Sequence, residues 1–309
     1  MSGPATSPEY LPLRVAEAEG FFTREGLAVT LKTTRAEPGA AEALTQGQTD
    51  LAATSLESML RFGPRLASQA PRLVLGLTAA PPVVLVVADA HKTVVRSIED
   101  LPGTRVGLSS PGATEQAWFA WLLARAGLSV AQMWMVSRGE RGVIHAVETG
   151  DVHTALVHEP AASRLIDSGH AHALVDLRSP AAVRQAVGTV TVNAAVFMRR
   201  DRRVRDRDLA AFTRAVLAAE RRLAEGDADA LASKLPQAVT AEPDGFEGRV
   251  AVSRAMYLKD GIVTVEQVRE TLTLIRAHLP LPVTARVPRP EDLVHGEPAR
   301  RPVTRPAAR

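Results

Sequence analysis

The most regular pattern of apolar and polar positions lies between Gly127 and Pro160. Gly127, Leu128 and Val130 turn the chain into an apolar strand over Gln132–Val136. A polar loop follows, then a helix with Val143, Ile144 and Val147 on one face, stopped by Gly150. A second strand, Thr154–Val157, ends on His158-Glu159-Pro160. The same plan occurs earlier, from Gly26 to Ser55: Gly26-Leu27 and Val29 echo Gly127-Leu128 and Val130, and Gly47 with Asp50 echoes Gly150 with His153. A strand–helix–strand unit that occurs twice predicts two similar α/β lobes.

Elsewhere the pattern fills in around these units. Tyr10–Glu19 reads as a helix with Leu11, Val15, Ala18 and Phe22 on one stripe. Val29–Thr33 alternates like a strand, Ala40–Gln46 is a short helix, and Thr49–Ala53 is a buried strand. Ser55 is placed to cap a helix over Leu56–Leu66. Leu73–Leu77 is a further strand, and the apolar run Val83–Ala88 carries the chain into the second lobe. There, Thr104–Leu108 is a strand, Trp118, Trp121 and Leu122 share a helix face, and Leu174–Leu177 is another strand. Thr189–Met198 reads as the crossing back. Three helical stripes follow, on Leu209/Phe212/Val216/Leu223, Phe246/Val250/Tyr257 and Val265/Val268/Leu272/Ile275/Leu279; all are expected on the first lobe. The prediction is therefore α/β, with residues 1–82 and 198–285 in lobe one, 83–197 in lobe two, and a hinge of two crossings between them. Residues 286–309, rich in Pro and Arg, read as a solvated, disordered tail.

Composition narrows the function. The 309 residues suffice for two cores, and the net charge is only +3. No basic face interleaved with aromatics marks a nucleic-acid binder. The absence of cysteine removes thiol nucleophiles and thiolate metal sites. No window is apolar for long enough to span a bilayer. Met1–Tyr10 has neither the basic start nor the apolar run of a signal peptide, so the chain as it stands reads as cytosolic.

Several segments in register carry a resemblance. The run from Tyr10 to Val29, containing Glu19-Gly20-Phe21-Phe22, resembles the opening of the sulfonate/nitrate/taurine-type substrate-binding proteins of ABC importers. That group also includes thiamine-pyrimidine synthase-like proteins. Gly47–Asp50, Ile98–Gly103, Gly112–Thr114 and Gly150–His153 through Glu159-Pro160 agree in order and spacing. The resemblance covers Tyr10 to Arg200. It implies the type II periplasmic-binding-protein fold, a small anionic organic ligand between the lobes with Tyr10 in contact with it, permease and ATPase partners, and an extracytoplasmic monomer. It implies no cofactor and no catalytic residue. His153 stands where the family has Asp, and His158 precedes Glu159. The family also has a core strand before the segment matching Pro8–Tyr10, and Met1–Ser7 is a poor strand. The expectation is either a start placed too far downstream or a divergent cytosolic form.

Candidate contacts follow from the strand ends, where helix amino termini also point. Thr54 and Ser55 end one strand; Ser110, Gly112, Ala113 and Thr114 follow another. Small side chains and free amides there suit an oxyanion, although Ser and Thr also serve as plain helix caps. Arg138 follows a strand end and offers bidentate contacts, or is a solvated loop arginine. Arg138 with the Ser110–Thr114 amides is the expected anion clamp. His158 is read as facing the ligand, with a packed histidine as the alternative. Glu159 is read as a ligand neighbour whose role is mainly structural, hydrogen-bonding across the hinge. His153 and His158 lie on opposite strand faces, so no shared metal is expected. No Gly-x-Ser-x-Gly elbow, P-loop or dinucleotide fingerprint is present. A cysteine-independent enzyme of the desulfinase or other lyase type, and a cytosolic ligand sensor, stand as the alternatives to transport.

Overall fold

A computed structural model of the chain describes residues 1–109, 114–240, 246–279, 281 and 287–294. Its strands are β1 (Leu51–Ser55), β2 (Pro71–Gly76), β3 (Val83–Ala88), β4 (Arg105–Leu108), β5 (Trp134–Ser137), β6 (Thr154–His158), β7 (Ala171–Asp176) and β8 (Ala194–Arg199). They form two sheets, ordered β1-β8-β2 and β5-β4-β6-β3-β7. The chain is thus mixed α/β with one sheet per unit.

In the second sheet β4, β5 and β6 are parallel, while β3 runs antiparallel between β6 and β7. Every residue of β3 is buried. That is why Val83–Ala88 is continuously apolar: a strand covered on both faces has no polar side to show. β8 plays the same role in the first sheet, between β1 and β2, and is likewise buried throughout. The runs read as crossings are therefore central strands. The connections themselves lie just before them and hydrogen-bond to each other. The Asn193 amide donates to the Thr78 carbonyl at 2.9 Å, and the Thr191 hydroxyl to the Ala79 carbonyl at 3.1 Å.

Two differences from the sequence reading have physical causes. The amino-terminal stretch, a poor strand by composition, pairs nonetheless as a one-residue stub. Ser2 bridges Thr33 and Ala53, in parallel with both. The Ser2 amide donates to Lys32 O at 2.8 Å and the Ala53 amide to Met1 O at 2.9 Å. Small residues suffice here because backbone pairing, not side-chain propensity, holds the stub in place. The second difference concerns the last helical stripe. The Val265–His278 helix packs against the Thr114–Arg125 helix of the second unit, and Thr271 brackets the backbone of Val192. Its stripe of Val268, Leu272 and Ile275 joins one core with Phe119 and Leu122, so it closes over both units. In the carboxy-terminal segment, Pro290–Leu293 forms a helical turn with Leu293 fully buried. Residues 295–309 lie outside the described residues.

Candidate functional site

Polar side chains gather where the carboxy-terminal ends of β1 and β6 come near each other at the gap between the units, close enough for Glu9 and Glu37 to act on His158. On the first unit, Glu37 opens the Glu37–Thr45 helix. Its carboxylate accepts from the Tyr10 hydroxyl, Ser55 reaches it, and the Thr54 hydroxyl donates to the Glu37 carbonyl at 3.1 Å. Ser55 also caps the Leu56–Phe62 helix, accepting from the Ser58 amide at 3.2 Å. Glu9, 4% exposed, takes the Asn193 side-chain amide at 2.9 Å and the Ser7 hydroxyl. Burial and the neighbouring Glu9 push the Glu37 carboxyl up, even though the Tyr10 and Ser55 hydrogen bonds pull the other way. The Tyr10 hydroxyl is raised too, by burial and by the Glu37 charge.

On the second unit, His158 ends β6 with its Nε2 at 3.4 Å from Glu115, the second residue of the Thr114–Arg125 helix. Glu115 is 3% exposed and also accepts from Ser109. Burial alone would lower the imidazole pKa; the Glu115 carboxylate outweighs it, Glu9 and Glu37 across the gap add their fields, and the pKa rises to about 9. Glu115 is held below the ordinary carboxylate range: burial opposes ionisation, but the bonds from His158 and Ser109 prevail. His158 is a cation at neutral pH. It is enclosed by acids yet keeps 39% of its side chain accessible.

This pairing carries a spectroscopic prediction. The His158 ring should still be protonated at pH 8, titrating near pH 9, and Glu115→Gln should bring the midpoint down by at least about one unit. An NMR titration of the imidazole reads both, and an unshifted midpoint in the variant would remove Glu115 as the cause.

The structure thus gathers Tyr10, Thr54, Ser55 and His158 at one gap. Glu159 lies next to them but is engaged elsewhere. Its carboxylate takes Arg178 and the Ser163 hydroxyl at 2.9 Å, and its amide donates to Pro82 O at 2.8 Å beside the first connection. Arg138 is half-exposed, with its guanidinium 3.3 Å from Asp151, a residue at the opposite end of β6 from His158. Ser110, Gly112 and Ala113 lie outside the described residues, and Thr114 is described only as the first residue of its helix. His153 lies at the far end of β6, stacked on His91 at 4.0 Å. Among the described residues no group of three or more His, Asp or Glu could hold a metal, and no helix is long and apolar enough to cross a membrane.

Sequence reasoning passed over Glu9, Glu37, Glu115 and Asn193. A signal existed for two of them. Glu37 precedes Pro38 at a helix start, and Glu115 follows Gly112-Ala113-Thr114 at the head of an apolar helix, where a carboxylate also suits the helix dipole.

Comparison with known proteins bears on the family and the fold. The profile of the NMT1/THI5-like family matches residues 7–219. A protein of Bordetella bronchiseptica RB50 superposes with a TM-score of 0.72 at 22% identity, covering 96% of this chain and 93% of its own. The alkanesulfonate-binding protein SsuA of Xanthomonas axonopodis pv. citri, bound to MOPS, gives 0.64 at 18%, covering 92% and 94%. The periplasmic nitrate-binding protein NrtA of Synechocystis PCC 6803 gives 0.57 at 15%, covering 80% and 66%. The fold is that of the periplasmic binding proteins. No curated protein sequence matches the chain.

Proposed function

Because this chain belongs to the NMT1/THI5-like family, we propose that it is the substrate-binding component of an ABC importer, taking a small organic solute between its two units outside the cytoplasm and handing it to a permease driven by an ATPase partner. The observation that carries this reading is the polar cluster at the gap: Tyr10, Glu37, Thr54 and Ser55 on one unit, and His158 with Glu115 on the other. Each unit contributes buried or half-buried polar groups with capacity to spare, so a solute touching both favours the closed arrangement by its differential contacts.

Charge refines the solute. Protonated His158 is one cation among Glu9, Glu37 and Glu115. A simple anion gains from the imidazole but faces the acids. A zwitterion of the aminosulfonate or amino-acid kind satisfies both sides, its ammonium on the Glu37 side and its anionic group on His158. Arg138, bonded to Asp151, supplies no part of this arrangement in our reading. The simple-anion reading is supported by the accessible edge of His158 and by the nitrate that the Synechocystis protein binds.

Calorimetric titration with taurine, ethanesulfonate and nitrate separates the two. Taurine should bind at least about tenfold more tightly than ethanesulfonate, which lacks the ammonium, and Glu37→Gln should erase that difference. Equal affinities would sink the zwitterion reading and leave the simple anion. A binder also returns its solute unchanged, whereas a lyase on this fold would consume it, so NMR of the recovered solute tests the enzymatic alternative.

A further inference from the structure

The edge strands of the two sheets are β1, β2, β5 and β7, and three of these are protected. β1 is bridged by Ser2 on the side away from β8. β2 carries a bulge between Leu73 and Leu75, and its Gly76 amide donates to Gly261 O at 2.9 Å. β7 slips in register opposite Leu85 and Val86 and engages polar side chains near both ends, His172 on Asp89 and Asp176 on Arg178. Bulges, coverings and charges of this kind keep an edge from pairing with another chain. β5 has none of them. Its register with β4 is regular, and Trp134–Ser137 carries neither charge nor proline.

The bonds at either end of β5 fix which way its main chain points. The Trp134 amide donates to Thr104 O at 2.8 Å and the Arg138 amide to Leu108 O at 3.3 Å. Alternate residues of a parallel strand bond to the same neighbour. Trp134, Val136 and Arg138 therefore turn their main chain to β4, and Met135 and Ser137 turn theirs outward. The outward amides and carbonyls have no partner among the described residues. The Gly139–Glu148 helix packs on β4, β6 and β3, inward of β5, so it leaves this edge clear. Beside the open groups stands Trp134, 71% exposed, the most exposed large apolar side chain among the described residues.

We propose that β5 pairs antiparallel with β5 of a second copy of this chain, joining two five-stranded sheets across a two-fold axis in place of the expected monomer. The open groups select the register. Met135 and Ser137 are satisfied together only when Met135 of one copy exchanges both bonds with Ser137 of the other, which sets Val136 against Val136 and Trp134 against Arg138. That match is self-complementary, as a two-fold interface requires. Val136 meets an equal apolar neighbour, and the Trp134 ring covers the stem of Arg138, whose charge Asp151 already balances at 3.3 Å. A lipid surface would cover the indole but leave the main-chain groups of Met135 and Ser137 unpaired.

The chain contains no cysteine, so single introduced cysteines read the register directly. Facing residues of a non-hydrogen-bonded antiparallel pair have Cα atoms about 4.5 Å apart, within disulfide reach. Val136→Cys should therefore give a disulfide-linked dimer under mild oxidation. Ser137→Cys is more exposed, yet it lies two positions along from its copy, beyond the limit of about 7 Å, and should link at least about tenfold more slowly. The chain itself should sediment as a monomer–dimer equilibrium with a dissociation constant on the order of 100 µM, as suits a small interface. Ser137→Pro removes an outward amide without touching the ladder to β4, and should weaken the dimer about tenfold with circular dichroism unchanged. A chain that stays monomeric up to about 1 mM, a Ser137→Cys variant that links as fast as Val136→Cys, or a dimer indifferent to Ser137→Pro would each overturn the proposal.

Discussion

Glutamine in place of Glu220 is expected to stabilise the protein strongly at pH 8 and to leave it nearly unchanged at pH 4. Glu220 lies on the Asp206–Glu225 helix, is 5% exposed, and neither of its carboxylate oxygens has a hydrogen-bond partner among the described residues. Burial raises its pKa from 4.5 to about 8; Arg221 offsets this only in part and Asp260 adds to it. The folded chain therefore keeps a proton that the unfolded chain releases between pH 4.5 and about 8. Stability falls as pH rises through that window, because the unfolded state binds fewer protons. At pH 7 the penalty is on the order of 3 kcal/mol. Glutamine keeps the shape of the protonated acid and cannot ionise, so Glu220→Gln should flatten the profile. Urea unfolding at pH 5, 7 and 8 measures it; parallel profiles for the two proteins would show that the side chain finds a partner when ionised.

Truncating Phe197 to alanine should cost about 4 kcal/mol, the range for deleting a buried aromatic ring. Phe197 is fully buried at the middle of β8, opposite Ala52 of β1 and Leu73 of β2. Its side chain belongs to the core shared by both units, whereas its neighbour Val196 belongs to the core of the first. The loss thus falls on the strand that ties the first sheet together. Unfolding of Phe197→Ala in urea, followed by far-ultraviolet circular dichroism, should show a midpoint lowered with its slope retained. A shift worth less than about 1 kcal/mol would mean that the surroundings close over the gap.

Both positions bear on what a sequence reveals. Val83–Ala88 is legible as an unbroken apolar run but reads as a crossing; the run is apolar because the strand is covered on both faces. Ser55 before Leu56 announced a cap, and the Ser58 amide uses it. The Gly127–Pro160 unit likewise delivered β5 and β6 with the strand end at His158, and Thr104–Leu108 delivered β4. What stayed hidden depends on distance along the chain. Glu9 reads as an ordinary surface acid until Asn193, far away in sequence, comes to bond it. Glu37 matters through Tyr10, and His158 through Glu115, and no local spacing encodes either pair. Arg138 shows the converse. Its position after a strand suggested a shared site, but side-chain direction decides, and Asp151 takes it.

The stub escaped for a different reason. Met1–Gly3 has no strand propensity, and its placement is set by open edges on Thr33 and Ala53 that only the folded neighbours create.

The two hydrogen-bonded connections have a mechanical consequence. Thr78 and Asn193 lie side by side where the chain passes between units, and Asn193 also holds Glu9. Points on a pivot move least when two bodies rotate about it. Glu9 lies beside that pivot through Asn193, and so does His158, which pairs with Val83 just past the first connection. A solute that touches both would work on the short arm of a rotation between the units, close to the pin that the Asn193 amide makes. Loosening that pin would leave the contacting groups intact and blur the angle at which they meet.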